Sequence, residues 1–345
     1  MFSQLSLGLL GLIALGAALA ILFAGTRVTG LADRIADRSG MGEALTGGLL
    51  LGASTSVPGV IVSFTSALDG RASLAFSNGV GGIAAQTAFL AIADLLYRRA
   101  NLEHASAELA NIFQCGLLML LLTIPLLAHV TPAFTVLAVH PASIGLFAVY
   151  VAGVVATSRL KENPMWTPVQ TGDTRRDTPS EDDAKGKPMF SLLVRTAGLI
   201  AILSLSGWAV AKVGAEMTER LNLSASFVGA AMTAVVTSLP ELVTTLAAVR
   251  RGALQLAIGG IIGGNTFDTL FLTMSDIGYR DGSVYHAVAL SDIFWLAISL
   301  TMTSVLLLGL LFRQRQGPAG IGAESVALLA IYLTALVVQF FGGQT

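Results

Sequence analysis

Cysteine, histidine and charge are all scarce in this 345-residue chain. Its one cysteine, Cys115, rules out an intrachain disulfide, and with only four histidines beside it a Cys/His metal scaffold is excluded. Charged residues make up 12% of the chain against 54% hydrophobic, and the mean hydropathy is +0.76, which removes the ordinary soluble classes. A net charge of -1 and a pI near 6.4 leave no basic surface for a nucleic acid. The charge is also concentrated: 12 of the 41 charged residues lie in the 32 residues from Ser158 to Met189, leaving 29 for the other 313.

What remains is long apolar runs. A membrane-spanning helix needs about 20 mainly apolar residues, and ten segments qualify. Five precede the polar stretch: Leu5 to Ala24, Glu43 to Leu68, Ser73 to Tyr97, Ala107 to His129 and Ala133 to Thr157. Five follow it: Phe190 to Val213, Ser224 to Val249, Leu254 to Tyr279, His286 to Phe312 and Ile321 to Phe341. Met1 to Gln4 carries no basic residue and no small-residue cleavage site follows the first segment, so it is expected to be a permanent helix rather than a signal peptide. The expectation is therefore an all-α membrane protein of ten transmembrane helices in a lipid bilayer. Its units are 1-157, a linker 158-189, and 190-345.

Lys and Arg in alternate loops set the orientation, because cytoplasmic loops are enriched in them. One set of loops holds fifteen, including Arg27, Arg34, Arg38, Arg98, Arg99, Arg250, Arg251, Arg313 and Arg315, and the other holds Arg71, Lys212, Arg220 and Arg280. That places both termini outside and the linker in the cytoplasm of a cell with the chain in its plasma membrane. The linker's run from Thr171 to Asp183 is too polar to pack, and reads as a mobile tether.

Adding 182 to a residue number maps one half of the chain onto the other without a gap from Thr55 to Ala107, with 17 identities in 53 positions. Thr55, Ser56 and Pro58 fall on Thr237, Ser238 and Pro240; Gly81 and Gly82 on Gly263 and Gly264; Asp94 and His104 on Asp276 and His286. With an odd number of helices per copy, the two copies have opposite orientation in the membrane. This inverted-repeat plan belongs to secondary transporters, whose sites lie near the midplane at broken helices. The breaks are readable: each proline sits inside an apolar run, where it removes a hydrogen bond and clashes with the preceding turn. The freed carbonyl and the hydroxyls of Thr55, Ser56, Thr237 and Ser238 are candidate oxygen ligands, tolerated at membrane depth only around a wet cavity or a bound ion.

Carboxylates narrow the solute. Glu241 follows Pro240 and Asp268 lies four residues after Gly264. Each costs about 2.5 to 3.5 kcal/mol at the centre of a membrane helix, an expense that implies a cation or a proton. Hard oxygen ligands suit Ca2+, Mg2+ or Na+. The two acids supply two negative charges, which one divalent ion, or two monovalent ions or protons, would neutralise. Asp94 and Asp276 precede Arg98 and Arg280 by four, a helical ion-pair spacing. His104 and His286 are expected at the interface, and Glu108, Asp292 and Glu324 start their helices, where acids suit the dipole.

The runs Thr237-Ser238-Leu239-Pro240-Glu241-Leu242-Val243-Thr244-Thr245 and Gly263-Gly264-Asn265-Thr266-Phe267-Asp268 resemble the second alpha-repeat of the calcium/cation antiporter superfamily, which includes the sodium/calcium exchangers. That resemblance implies a sodium/calcium exchanger-like bundle in which the second, third, seventh and eighth helices form the site and the long first and sixth helices slide. It places ligands on the carbonyls of Gly52 and Ala234, on Thr55, Ser56, Thr237, Ser238 and Glu241, and on Gln86 and Asp268. The first copy departs from the pattern, with Gly59 where a second central glutamate is implied and neutral Gln86 opposite Asp268. Asn78 and Asn265 are candidate compensating amide ligands or helix-packing hydrogen bonds.

The expected function is exchange of a cation, Ca2+ by the resemblance, for Na+ or H+. A proton-coupled monovalent antiporter and a non-transporting scaffold are the alternatives. No enzymatic chemistry is expected: Ser54, Ser56 and Ser63 lack a base at their depth. No cofactor is expected beyond the transported cations.

Overall fold

The structure, a computed structural model, describes residues 2-39, 52-97, 99-174, 189-317 and 320-342. It is built from helices: α1 (Leu7–Ser39), α2 (Gly52–Thr55 and Val57–Leu68), α3 (Ala72–Leu96), α4 (Leu109–Val130), α5 (Pro141–Glu162), α6 (Met189–Arg220), α7 (Ala225–Thr237 and Leu239–Arg251), α8 (Leu254–Asp268 and Leu270–Gly278), α9 (Leu290–Phe312) and α10 (Ala323–Gly342). Among the described residues eight helices are long and apolar enough to cross a membrane, and the bent pair of α7 makes a ninth. The second expected span, Glu43 to Leu68, is described only from Gly52 onward, so its first part lies outside the described residues.

The offset of 182 extends through the architecture. It carries α1 onto α6, α4 onto α9 and α5 onto α10, and it carries the short helix Leu102–Ala105 onto Val284–Ala287. Packing repeats with it: α1 lies against α6, α6 packs on α2 and α1 on α7, while α3 and α8 each contact the helices of the opposite copy. The helices differ in what surrounds them. In its most apolar 18-residue stretch α3 is 83% buried and α8 72%, whereas α1 is 22% and α6 17%. α3 can be central because it is rich in Gly, Ala and Ser, which let neighbouring backbones approach where no water drives association. The long pair α1 and α6 is left facing lipid, with Leu12, Leu15, Leu19 and Leu205 exposed.

Several boundaries and contacts differ from the sequence reading. α1 runs on to Ser39 and α6 to Arg220, because the Ala, Arg, Glu and Met residues beyond the apolar runs are good helix formers that need no apolar surroundings. The linker is not wholly free. Arg313 donates to the Val169 carbonyl, Arg315 Nε reaches Asp173 Oδ2 at 2.6 Å, and His104 Nε2 lies 3.0 Å from the Thr171 hydroxyl. Residues 175-188 lie outside the described residues.

Asp276, at the end of α8, is not ion-paired to Arg280 as its spacing suggested. Asp276 accepts Val284 N–H at 3.1 Å, His140 N–H at 2.7 Å and the Ser143 hydroxyl at 2.7 Å, while Arg280 donates to the carbonyls of Ile277 and Leu137. Asp94 accepts Leu102 N–H at 2.7 Å and Gly322 N–H at 2.9 Å; Arg98 lies outside the described residues. Each aspartate thus caps the short helix that follows it and clasps the start of the last helix of the other copy, since 102 and 140 map onto 284 and 322. Asp292 likewise accepts Ala289 N–H at the start of α9, together with the hydroxyls of Ser77 and Ser226.

Candidate cation site

Ser56 and Ser238 stand between the two halves of α2 and α7. Pro58 and Pro240 occupy the second position of each following half, where their missing N–H costs that half nothing but prevents continuation of the helix before it. α7 bends by 48° at this point, and a wide π turn over Val228–Thr233 precedes the bend. Such turns re-aim side chains and concentrate where helices carry function.

Asp268 is the hub of the polar residues that converge here. It ends the first half of α8 and is 1% exposed. Its Oδ1 accepts the Ser56 hydroxyl at 2.6 Å and its Oδ2 accepts Gln86 Nε2 at 2.6 Å. The same Gln86 nitrogen reaches Ser238 Oγ at 3.2 Å. Gln86 and Asp268 are 182 apart, so equivalent positions of the two copies meet and bond across the pseudo-symmetry axis. Gly82 and Gly264 leave the room: an added Cβ at Gly264 would lie 3.3 Å from Gln86 Oε1, and one at Gly82 would lie 3.8 Å from Asp268 Oδ2.

Glu241, 5% exposed, opens the second half of α7, with the Thr55 side chain in hydrogen-bonding reach and Asp268 close enough to act on it electrostatically. Glu241 Oε2, Gln86 Oε1 and Asn265 Oδ1 are all buried without a hydrogen-bond partner. Buried oxygens left bare cost about 1 to 3 kcal/mol each, more for a charged group, and a cation is the species that would satisfy several together. Among the described residues no three His, Cys, Asp or Glu side chains converge to hold a metal, so a cation here relies on neutral oxygens as well as acids. A cavity of about 90 Å³ lined by Thr29, Thr55, Glu241, Thr244, Thr245 and Arg251 runs from Glu241 toward the arginine-rich end of the bundle.

The remaining candidates divide. Asn265 donates to Thr87 Oγ1 at 2.9 Å and keeps its oxygen bare. Asn78 is consumed by packing: its Nδ2 donates to Gly59 O at 3.1 Å and Ser63 Oγ at 3.0 Å, and its Oδ1 accepts the Thr233 hydroxyl at 2.8 Å. The Ala234 carbonyl accepts both the Thr237 hydroxyl at 3.1 Å and Ser238 N–H at 3.0 Å, which uses both its lone pairs. Gly52 begins the short helix before the first break.

Two features are invisible in the sequence. An added Cβ at Gly59 would lie 2.3 Å from Cε2 of Phe271, so the ring of a residue from the other copy fills the space a glutamate would need. Gly25 of α1 sits against Pro240 and Gly207 of α6 against Pro58, with an added Cβ 2.4 Å from Pro240 Cγ and 2.7 Å from the Pro58 carbonyl oxygen. Those two contacts are again related by 182. The only sequence signal for them is a glycine at equivalent positions of the two long helices.

The family description "Sodium/calcium exchanger protein" matches residues 8-158 and 190-341, leaving out the linker. The chain belongs to the sodium/calcium exchanger family. Among exchangers, it is 31% identical over 124 residues to the sodium/calcium exchanger MaX1 of Methanosarcina acetivorans, a match spanning 36% of this chain and 33% of that protein. In fold it is similar to the sodium-calcium exchanger NCX_Mj soaked with Na+ and Sr2+ (16% identity, 95% of this chain and 98% of that one, TM-score 0.60). It is also similar to the H+/Ca2+ exchanger CAX (13% identity, 97% and 86%, TM-score 0.63). This exchanger-family chain is thus a multi-pass membrane protein of the cation antiporter type, as its motifs and repeat implied.

Proposed function

We propose that this chain is a secondary active antiporter that carries Ca2+ or another divalent cation in exchange for Na+ or H+. The exchange runs by alternating access at the site formed by Glu241, Asp268, Ser56, Thr55, Gln86 and Asn265. The observation that carries this reading is the Asp268 hub, which draws Ser56 and Gln86 together at two helix breaks, with the bare buried oxygens Glu241 Oε2, Gln86 Oε1 and Asn265 Oδ1 on the same helices. Both termini lie outside the cell, and the arginine-rich end, with the cavity leading to Glu241, faces the cytoplasm. That orientation is supported by the bias of fifteen basic residues against four between alternate loops.

The filling of the Gly59 position by Phe271 favours a second reading, exchange of a monovalent cation for protons, since the site holds two acids rather than three or more charges. Flux in proteoliposomes separates the two. With Ca2+, Na+, K+ and a proton dye, divalent uptake driven by an opposing Na+ or H+ gradient is expected. Glu241→Gln should lower it at least about a hundredfold, equivalent to about 2.8 kcal/mol. Unchanged uptake in that variant would end the proposal, and K+ or Na+ flux without Ca2+ flux would establish the second reading instead.

A further inference from the structure

Another acid cluster lies at the arginine-rich end of the bundle, apart from the cation site. Glu103, on the short helix Leu102–Ala105, is wholly buried, and neither of its carboxyl oxygens has a hydrogen-bond partner. Glu324, in the first turn of α10, is 8% exposed, its Oε1 is also bare, and its carboxyl lies within hydrogen-bonding reach of Glu103. Asp94 completes the group, with both oxygens already taken by the N–H groups of Leu102 and Gly322.

The sister corner shows what is unusual here. Glu103 maps onto Tyr285 and Glu324 onto Ala142. At that corner the Tyr285 hydroxyl meets Ser143 Oγ at 2.8 Å, and Ser143 in turn bonds Asp276, so each of these three groups has a partner. At the Glu103 corner Tyr and Ala are replaced by two acids facing each other, one from each copy, and Ser325, the equivalent of Ser143, is buried with its hydroxyl bare. Two ionised carboxylates cannot rest in contact in a dry site without a cation.

We propose that Glu103 and Glu324 form a second ligand site, for a proton, in which the two carboxyls share one hydrogen and so clamp the short helix Leu102–Ala105 to the start of α10. A proton fits better than a metal because two acids with a single bare hydroxyl, Ser325, fall well short of the about six or more oxygens a hard cation takes, and among the described residues no metal-holding group of three occurs. Burial first, and then the charges of Asp94 and Glu324, hold the Glu103 carboxyl well above the usual carboxylate range. His104 sits beside the pair, bridging the Arg313 carbonyl and Thr171, and Arg313, Arg315 and Asp173 ring the same corner. Arg99 is exposed at its edge. α8 and α9 also pack here through Leu254, Ile258, Leu306 and Leu310, and their acids, Asp268, Asp276 and Asp292, lie away from this end of the helices. Linker residues 169-174 are seated on this corner, so the clamp also supports the linker's contact.

A folded-state carboxyl raised above its unfolded value binds more protons folded than unfolded, so it contributes stability at low pH that is lost as pH rises from the ordinary glutamate range toward the raised value. Thermal unfolding of the full-length protein in detergent, from about pH 5 to pH 9, therefore tests the site. The wild type is expected to lose stability with rising pH, its unfolding constant growing by up to about tenfold per pH unit. Glu103→Gln and Glu324→Gln, which supply a permanent donor, should each flatten that slope, while His104, Arg313 and Asp173 remain unchanged as internal controls. Infrared spectra should show a protonated carboxyl at neutral pH in wild type that disappears in both variants. An equal slope in wild type and both variants would overturn the proposal. So would protection of the wild type by Ca2+ or Na+ at fixed pH that Glu103→Gln abolishes, since the occupant would then be a metal ion. Neither readout depends on transport.

Discussion

The two copies of the repeat keep the same backbone and divide the chemistry unequally. In the second, the break carries Glu241 and the following helix carries Asp268; in the first, the same places hold Gly59 and Gln86. Gln86 still works for the site by donating to Asp268, whereas Gly59 has been taken over by the Phe271 ring. At the arginine-rich end the acids come one from each copy, Glu103 from the first meeting Glu324 from the second, where the equivalent positions are Tyr285 of the second copy and Ala142 of the first. A duplicated scaffold can lose charge at one symmetric position and gain it at another without changing its packing, because position on the helix, not residue identity, preserves the fold.

Restoring the missing acid should break that asymmetry most severely. Gly59→Glu forces a carboxyl into the Phe271 ring and is expected to lower cation flux by more than about tenfold while depressing the melting temperature, since overpacking costs about 1 to 3 kcal/mol. The double variant Gly59→Glu with Phe271→Ala clears the space. It should recover folding and shift selectivity toward divalent ions, read as the ratio of Ca2+ to Na+ uptake in proteoliposomes.

A smaller effect is expected at the paired glycines. Gly25→Leu and Gly207→Leu insert a side chain between a long helix and the opposite proline. Each should cut turnover several-fold with little change in the Ca2+ concentration for half-maximal uptake, as measured by initial rates. The finest comparison is between the two asparagines. Asn265→Ala removes a bare oxygen and should weaken cation affinity, whereas Asn78→Ala removes a satisfied packing group. The latter should cost about 1 to 3 kcal/mol of stability with affinity unchanged, a contrast that calorimetric titration and thermal melts on both variants would check.

Much of this was legible in the residues. Glu241 and Asp268 stand out because acids are expensive in lipid and this chain avoids them elsewhere, and the fixed offset of 182 exposed the duplicated break before any coordinates. Other features needed the third dimension. Asn78 and Asn265 look alike in sequence, and only the neighbours of their oxygens separate them. Asp94 and Asp276 carry an arginine four residues on, so local spacing suggested ion pairs. Asp276 instead accepts groups on other segments, His140 N–H among them, and Asp94 accepts Gly322 N–H, contacts that no helical periodicity encodes. The linker's composition spoke for a free tether, and its first part proved to be held by Arg313, Arg315 and His104 through contacts between distant segments. The Phe271 ring over Gly59 was hidden for the same reason, since a void in one copy is filled from the other.

The contacts of Gly25 with Pro240 and of Gly207 with Pro58 bear on leakage. Each joins a long lipid-facing helix of one copy to the break of the other with no side chain between them. On the proposed mechanism, the long helices cannot shift without pressing on both prolines together, so the openings toward the two faces of the membrane share a single degree of freedom. A passage open to both sides at once would require those contacts to separate independently, and close contact of a glycine backbone with a proline at two symmetric points opposes it. That mechanical linkage is what would keep an exchanger with two water-accessible routes from conducting ions as a pore.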